Sequence, residues 1–217
     1  MAKIKAVLFD MDGLMIDSEP LHLQAFNKVF EKFGKHLSGE ENSKRYVGIA
    51  DVGVVEDMVN RFNLPISAHE LLVEKQNAYK DILKNGLVTQ PGLIDLLTKL
   101  HSSGYKIAIG SGSYRVQIEI VIEGLNISSF IDQYMAIDDV KAGKPAPDIY
   151  LLAAKKLAVD PAECLVLEDA PSGVSAAKAA GMICFAIPSK ETKGLDFSFA
   201  DKVLGSLSEV FDLLSRE

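Results

Sequence analysis

Short apolar runs alternate with helical patterns along most of this chain. Residues 5–9 (K-A-V-L-F) form the first run; 105–109, 164–167 and 183–187 repeat it, with 134–137 a weaker copy. Runs this short and this continuously apolar predict strands covered on both faces, as in a parallel sheet. Between them lie amphipathic stretches with readable ends. Pro91 opens one at 91–101 with Gly104 as its C-cap, Pro147 opens another at 147–157, and Pro171 precedes 172–180, which stops at Gly181. Strands alternating with helices imply right-handed βαβ crossovers.

Residues 18–86 break that rhythm. They hold no convincing strand but three helical patterns, at 20–33, 51–62 and 68–83, with Ser67 and Glu70 spaced as a capping box ahead of the last. The expected fold class is α/β: a Rossmann-like parallel sheet with helices on both faces, plus a small all-helical cap domain inserted after the first strand. The expected boundaries are 1–17 and 87–217 for the core and 18–86 for the cap. An insert at that point is expected above the carboxyl ends of the strands, where open α/β sheets take their ligands.

Composition removes several classes of function. With 217 residues, 48% of them hydrophobic, the chain can bury a large core. A formal charge of −7 and no block of basic residues argue against a nucleic-acid partner. Lys3 and Lys5 interrupt the start, and no apolar segment approaches the roughly 18 residues of a membrane span. The expectation is a cytoplasmic protein without a membrane partner, a monomer or weak dimer. Cys164 and Cys184 both sit in apolar runs and are expected as reduced core side chains.

Chemistry concentrates at the carboxyl ends of four predicted strands. Asp10-Met-Asp-Gly13 places carboxylates at Asp10 and Asp12, which point the same way in extended chain and call for a cation. Ser111, flanked by Gly110 and Gly112, can bring backbone N–H groups near an anion. Lys144 precedes Pro145 at a helix start, and Glu168-Asp169 closes an apolar strand with two acids, a pair that suits Mg2+. Each feature alone has a bland reading as a turn, a plain loop or a solvated charge. Their order and spacing together carry the signal.

That order resembles the haloacid dehalogenase superfamily, in its branch of β-phosphoglucomutase-like phosphatases and mutases. The likeness runs from Phe9-Asp-Met-Asp-Gly-Leu14 through Ser111 and Lys144-Pro-Ala-Pro-Asp148 to Leu167-Glu-Asp-Ala-Pro-Ser-Gly-Val174. It implies Asp10 as nucleophile, Asp12 as general acid/base, Ser111 and Gly112 as phosphate binders and Lys144 as the neutralising cation. It further implies Mg2+ held by Asp10, the Asp12 carbonyl, Glu168 and Asp169. Dehalogenases of the superfamily lack an acid at the position of Asp12, so the resemblance is to phosphoryl-transfer members. The Asp-Met-Asp-Gly-Leu string is similar to that of pseudouridine-monophosphatase-like members.

The cap separates phosphatase from mutase less directly. Sugar phosphomutases of the branch carry a histidine and a lysine that His22 and Lys75 match, and an arginine three residues after a cap glycine. Here that stretch is Gly48-Ile-Ala-Asp51, with a carboxylate in place of the arginine, expected to repel a second phosphate. The expected function is therefore a Mg2+-dependent phosphatase acting on a small phosphorylated metabolite (a sugar phosphate or nucleotide-like monophosphate) through an aspartyl phosphate, with a sugar phosphomutase as the alternative and a non-catalytic phosphate-sensing module as a third reading. His22, Lys75, Ser113 and Arg115 complete the candidate substrate contacts.

Overall fold

The computed structural model describes residues 3–46, 49 and 51–215. It divides into two compact units, Met1–Asp17 with Val88–Glu217 and Ser18–Leu87. In the first, six parallel strands form one sheet in the order β3-β2-β1-β4-β5-β6. They are β1 (Ala6–Phe9), β2 (Lys106–Gly110), β3 (Gln133–Met135), β4 (Cys164–Glu168), β5 (Ile183–Ala186) and β6 (Lys202–Val203). The order runs outward from β1 in both directions, so the strand switch places the ends of β1, β2 and β4 side by side.

Burial explains the apolar runs. Alternate side chains of the strands, among them Ala6, Leu8, Ala108, Cys164, Val166 and Cys184, pack into one core with Tyr150 and Val174. Those side chains come from α7 (Asp148–Leu157) and α8 (Pro171–Ala179). The intervening Val7, Phe9, Ile107 and Ile109 are equally buried, and α5 (Leu93–Ser102) contacts β2 and packs against α9 (Ser208–Leu214). Both cysteines are buried and unpaired with each other.

Some element ends differ from the sequence pattern. The helix expected from Pro91 starts two residues later, at Leu93, because Gly92 takes the left-handed conformation (φ 86°) that a helix cannot continue through. Strand β6 was not visible in the pattern, being a two-residue exposed edge without an apolar run. The sheet unit also contains α6 (Arg115–Gly124).

The second unit is all helical: α1 (Glu19–Phe30), α2 (Gly39–Arg45), α3 (Asp51–Phe62) and α4 (Ala68–Gly86). Phe26, Val29, Phe30, Leu37, Val54, Val55, Met58 and Leu71 make its core. The Ser67–Glu70 capping box is formed, with the Glu70 carboxylate accepting from the Ser67 backbone N–H at 2.8 Å and the Glu70 N–H donating to the Ser67 hydroxyl at 3.2 Å. Helix α2 is additional to the three expected. Its sequence, G-E-E-N-S-K-R, has no apolar stripe to reveal it; the Ser38 hydroxyl caps it by accepting from Glu41 N–H at 3.2 Å. No helix among the described residues is long and apolar enough to cross a membrane.

Candidate active site

The sheet brings the separated acids and bases to one place. The backbone N–H of Asp10 donates to Leu167 O at 3.0 Å, carrying the β1–β4 pairing past the end of β1. Gly13 then turns the chain at φ 84°, and a Cβ there would fall 2.1 Å from Asp169 Oδ2. The turn and the approach of Asp169 both require glycine at this position.

Lys144, beside a cis peptide bond to Pro145, lies in the middle of the acids. Its Nζ donates to Asp10 Oδ1 at 2.5 Å and to Glu168 Oε1 at 2.7 Å, and sits 4.9 Å from the centre of the Tyr150 ring. Asp10, Glu168 and Asp169 each present a carboxylate oxygen within 4.8 Å of the others, and all three are buried. Three buried carboxylates face one lysine. Burial, reinforced by the charges of Glu168 and Asp12 and opposed by Lys144, pushes the Asp10 carboxyl up to about 7. Burial and the same crowding raise Asp169 well above the usual carboxylate range. Burial would depress the Lys144 ammonium, but Asp10 and Glu168 outweigh it and hold it above its ordinary value. An oxygen-liganded dication would relieve this excess of negative charge, so the cluster fits a divalent metal.

Asp12 is held by two serines. Its Oδ2 accepts from the Ser113 hydroxyl at 2.6 Å and, at a longer 3.3 Å, from the Ser111 hydroxyl; Ser111 Oγ in turn accepts from Ser113 N–H at 3.0 Å. Ser111 is fully buried. Both serine hydroxyls thus hold the Asp12 carboxylate. Gly112 lies exposed between them.

The remaining candidates have other partners. Arg115 donates through Nη2 to both carboxylate oxygens of Asp139, one of the bonds at 2.6 Å, and its guanidinium lies 5.1 Å from the centre of the Tyr134 ring. Within the cap, Lys75 is completely buried, its Nζ 2.7 Å from His22 Nδ1 and 2.5 Å from Asp51 Oδ2. Gln76 also donates to Asp51 Oδ2 at 2.9 Å, and the His22 ring stacks on Tyr79 at 4.1 Å. Asp51, the carboxylate expected to repel a second phosphate, is thus paired with Lys75 and Gln76 within the helical unit. Gly48 and Ala50, part of the stretch on which that expectation rested, lie outside the described residues.

Two further residues reach the site without having stood out in the sequence. Tyr150 donates its hydroxyl to Glu168 Oε1 at 2.6 Å. It falls on the apolar stripe of α7 and reads there as a core aromatic. Ser189 lies beside Asp169, where it opposes the rise of that carboxyl, and its N–H donates to Thr192 Oγ1 at 2.9 Å. It follows β5, so the rule that chemistry gathers beyond strand ends could have found it.

Comparison with known proteins agrees with this geometry. The family model described as haloacid dehalogenase-like hydrolase matches residues 7–187. A probable pseudouridine-5'-phosphatase of Drosophila melanogaster is 34% identical over 95% of this chain and 91% of its own length. The crystal structure of CbbY from Rhodobacter sphaeroides in complex with phosphate superposes with a TM-score of 0.86 at 28% identity, over 95% of this chain and 96% of that one. The β-phosphoglucomutase of Clostridium difficile gives 0.79 at 27% identity, over 98% and 96%. With the strand order, the carboxylate cluster and these likenesses in hand, the chain belongs to the haloacid dehalogenase-like hydrolases, as an enzyme of the phosphoric monoester hydrolase type.

Proposed function

We propose that this chain is a Mg2+-dependent phosphatase that cleaves a small phosphate monoester, such as a sugar phosphate or a nucleotide-like monophosphate, through a phosphoryl ester on Asp10. The observation that carries the reading is the position of Asp10, bonded to Lys144 and in metal-sharing reach of Asp169, with Asp12 held two residues away by Ser111 and Ser113. Asp10, Glu168, Asp169 and the Asp12 carbonyl would hold the ion. Bound there, Mg2+ would neutralise charge on the transferring oxygens and on the nucleophile.

The protein's own residues account for the rest. Lys144 reduces the repulsion between the Asp10 carboxylate and an anionic phosphoryl group. Asp10 attacks phosphorus, the bond to the leaving oxygen breaks, and Asp12 gives that oxygen a proton. Asp12 then takes a proton from water as it attacks phosphorus, releasing inorganic phosphate and restoring Asp10. The serine pair keeps Asp12 in one orientation for both transfers.

A metal titration tests the first part. Asp10 is raised from 3.8 to about 7 in the metal-free fold, so the folded state holds a proton that the unfolded chain has released between those values. This group's contribution to metal-free stability therefore falls as pH rises through that window. Mg2+ needs the ionised carboxylates. Saturating Mg2+ should raise Tm by roughly 5–10 °C at pH 8 and by much less at pH 5. Equal shifts at both pH values, or none at pH 8, would rule out binding at these carboxylates.

The choice of water over a sugar hydroxyl as acceptor is supported by the cap. Lys75 is already paired with Asp51, which leaves that pair without net charge for a second phosphate. Supplied with β-glucose 1-phosphate and a trace of the 1,6-bisphosphate, the enzyme should yield inorganic phosphate rather than glucose 6-phosphate. A product ratio of glucose 6-phosphate to free phosphate well above one would make it a mutase.

A further inference from the structure

The turn that carries Asp12 is fastened by a segment far along the chain. Residues 13–17 run beside 88–90, the two stretches where the sheet unit's chain leaves for residues 18–87 and returns. Asp17 N–H donates to Val88 O at 2.9 Å, Ile16 and Thr89 form an antiparallel bridge, and Gln90 N–H donates to Met15 O at 2.9 Å. Gln90 precedes Pro91, which favours the extended conformation such a ladder needs. The last rung is a side chain: Gln90 Nε2 donates to Gly13 O at 2.9 Å.

Gly13 is where such a bond matters most. With no Cβ, a glycine can swing the peptides on either side of it more freely than any other residue. The peptide joining Asp12 to Gly13 is fixed by the Gly13 N–H, which donates to Ile16 O at 2.9 Å. The peptide joining Gly13 to Leu14 has its carbonyl fixed by Gln90. Asp12 is therefore tethered at both ends, its carboxylate by Ser113 and Ser111 and its backbone through Gly13. Leu14, Met15 and Ile16 are buried apolar side chains and offer the turn no polar anchor of their own, whereas Gln90 is half-buried and reaches it.

We infer that Gln90 is a positioning residue for Asp12, acting through Gly13 O. Its amide keeps the glycine turn in one conformation, and that conformation sets how far the Asp12 carboxyl stands from the leaving oxygen. Proton transfer needs the two within hydrogen-bond reach, and a displacement of about 1 Å can cost about 10²-fold. The serine pair orients the carboxyl group, while Gln90 holds the backbone from which it springs. This assignment rests on the reading of Asp12 as the residue that gives and takes the proton.

The test reads how the loss of activity depends on the leaving group. kcat/KM, which reports the step that expels the leaving group, is measured with phenyl phosphates of graded leaving-group acidity. The proteins are wild type, Gln90→Met, Gln90→Glu and Asp12→Ala, with melting temperatures taken alongside. Gln90→Met keeps the side chain's length without a donor, and Gln90→Glu keeps its shape but sets an acceptor against Gly13 O. Each should lose about tenfold with phenyl phosphate and less than about threefold with p-nitrophenyl phosphate, whose leaving group needs no proton. Each should melt within about 5 °C of wild type, as the loss of one hydrogen bond allows. Equal losses across the series in both Gln90 variants, or no loss, would make Gln90 a structural residue only and overturn the assignment. So would failure of both to fold. If Asp12→Ala itself shows no dependence on the leaving group, the reading of Asp12 falls and this assignment with it. A dependence in Asp12→Ala that neither Gln90 variant shares would sink this assignment alone.

Discussion

Replacing Asp10 with asparagine should lower turnover by at least about 10⁴-fold while leaving the protein folded. The amide is nearly isosteric with the carboxylate and keeps an oxygen for Lys144, so the packing at the end of β1 has no reason to change. It lacks the charge and nucleophilicity to attack phosphorus. It also removes one buried charge from a cluster in which burial and neighbouring acids already oppose ionisation. The asparagine protein should therefore melt at or above the wild-type temperature without metal, even as activity disappears. Mass spectrometry after rapid quenching should find one added phosphoryl group on the wild type, at Asp10, and none on the variant. Appreciable phosphate release by the variant would end the covalent reading.

Replacing Asp12 with alanine should cost about 10²–10⁴-fold in turnover, and the loss should depend on the leaving group. An alkyl phosphate must be protonated as it departs, so both halves of the reaction suffer. p-Nitrophenolate leaves readily without a proton, so with p-nitrophenyl phosphate the first half should survive in large part. The second half still lacks its base. The variant should then give a burst of nitrophenol close to one equivalent and accumulate the Asp10 ester. Ser113→Ala, which removes the 2.6 Å bond to Asp12 but not the acid, should show a weaker form of the same behaviour. An Asp12→Ala enzyme that loses alkyl and nitrophenyl substrates equally, with no burst, would show that Asp12 serves something other than proton transfer.

The sheet was legible because its strands are buried on both faces. Burial of that kind leaves continuous apolar runs, and β1, β2, β4 and β5 all lie within a residue or so of the runs that predicted them. The cap's helices α3 and α4 were legible from their apolar stripes, whereas α2 has no such stripe and β6 is an exposed two-residue edge. Periodicity records burial, so elements that bury little leave little trace.

The candidate site divides along a similar line. Asp10, Asp12, Lys144, Glu168 and Asp169 stood out because a charged residue directly beyond a buried strand, or beside a proline at a helix start, is unusual in a sequence. The sheet brings Asp10, Lys144, Glu168 and Asp169 together, with the charge of Asp12 acting on Asp10. Tyr150 gave no such sign, since a tyrosine on an apolar helix face is an ordinary core residue until its hydroxyl is seen against Glu168.

What the sequence determined by itself was local: where strands and helices run, and which chemical groups stand at their ends. Only the tertiary structure decided the pairings. It set Asp51 against Lys75 across 24 residues, turned both serine hydroxyls onto Asp12, and gave the adjacent acids Glu168 and Asp169 different surroundings. The physical reason is that side-chain order and spacing register the environment of one element. A hydrogen bond between distant residues depends on how two elements pack, and on small details such as the missing Cβ of Gly173 that lets α8 close over Glu168.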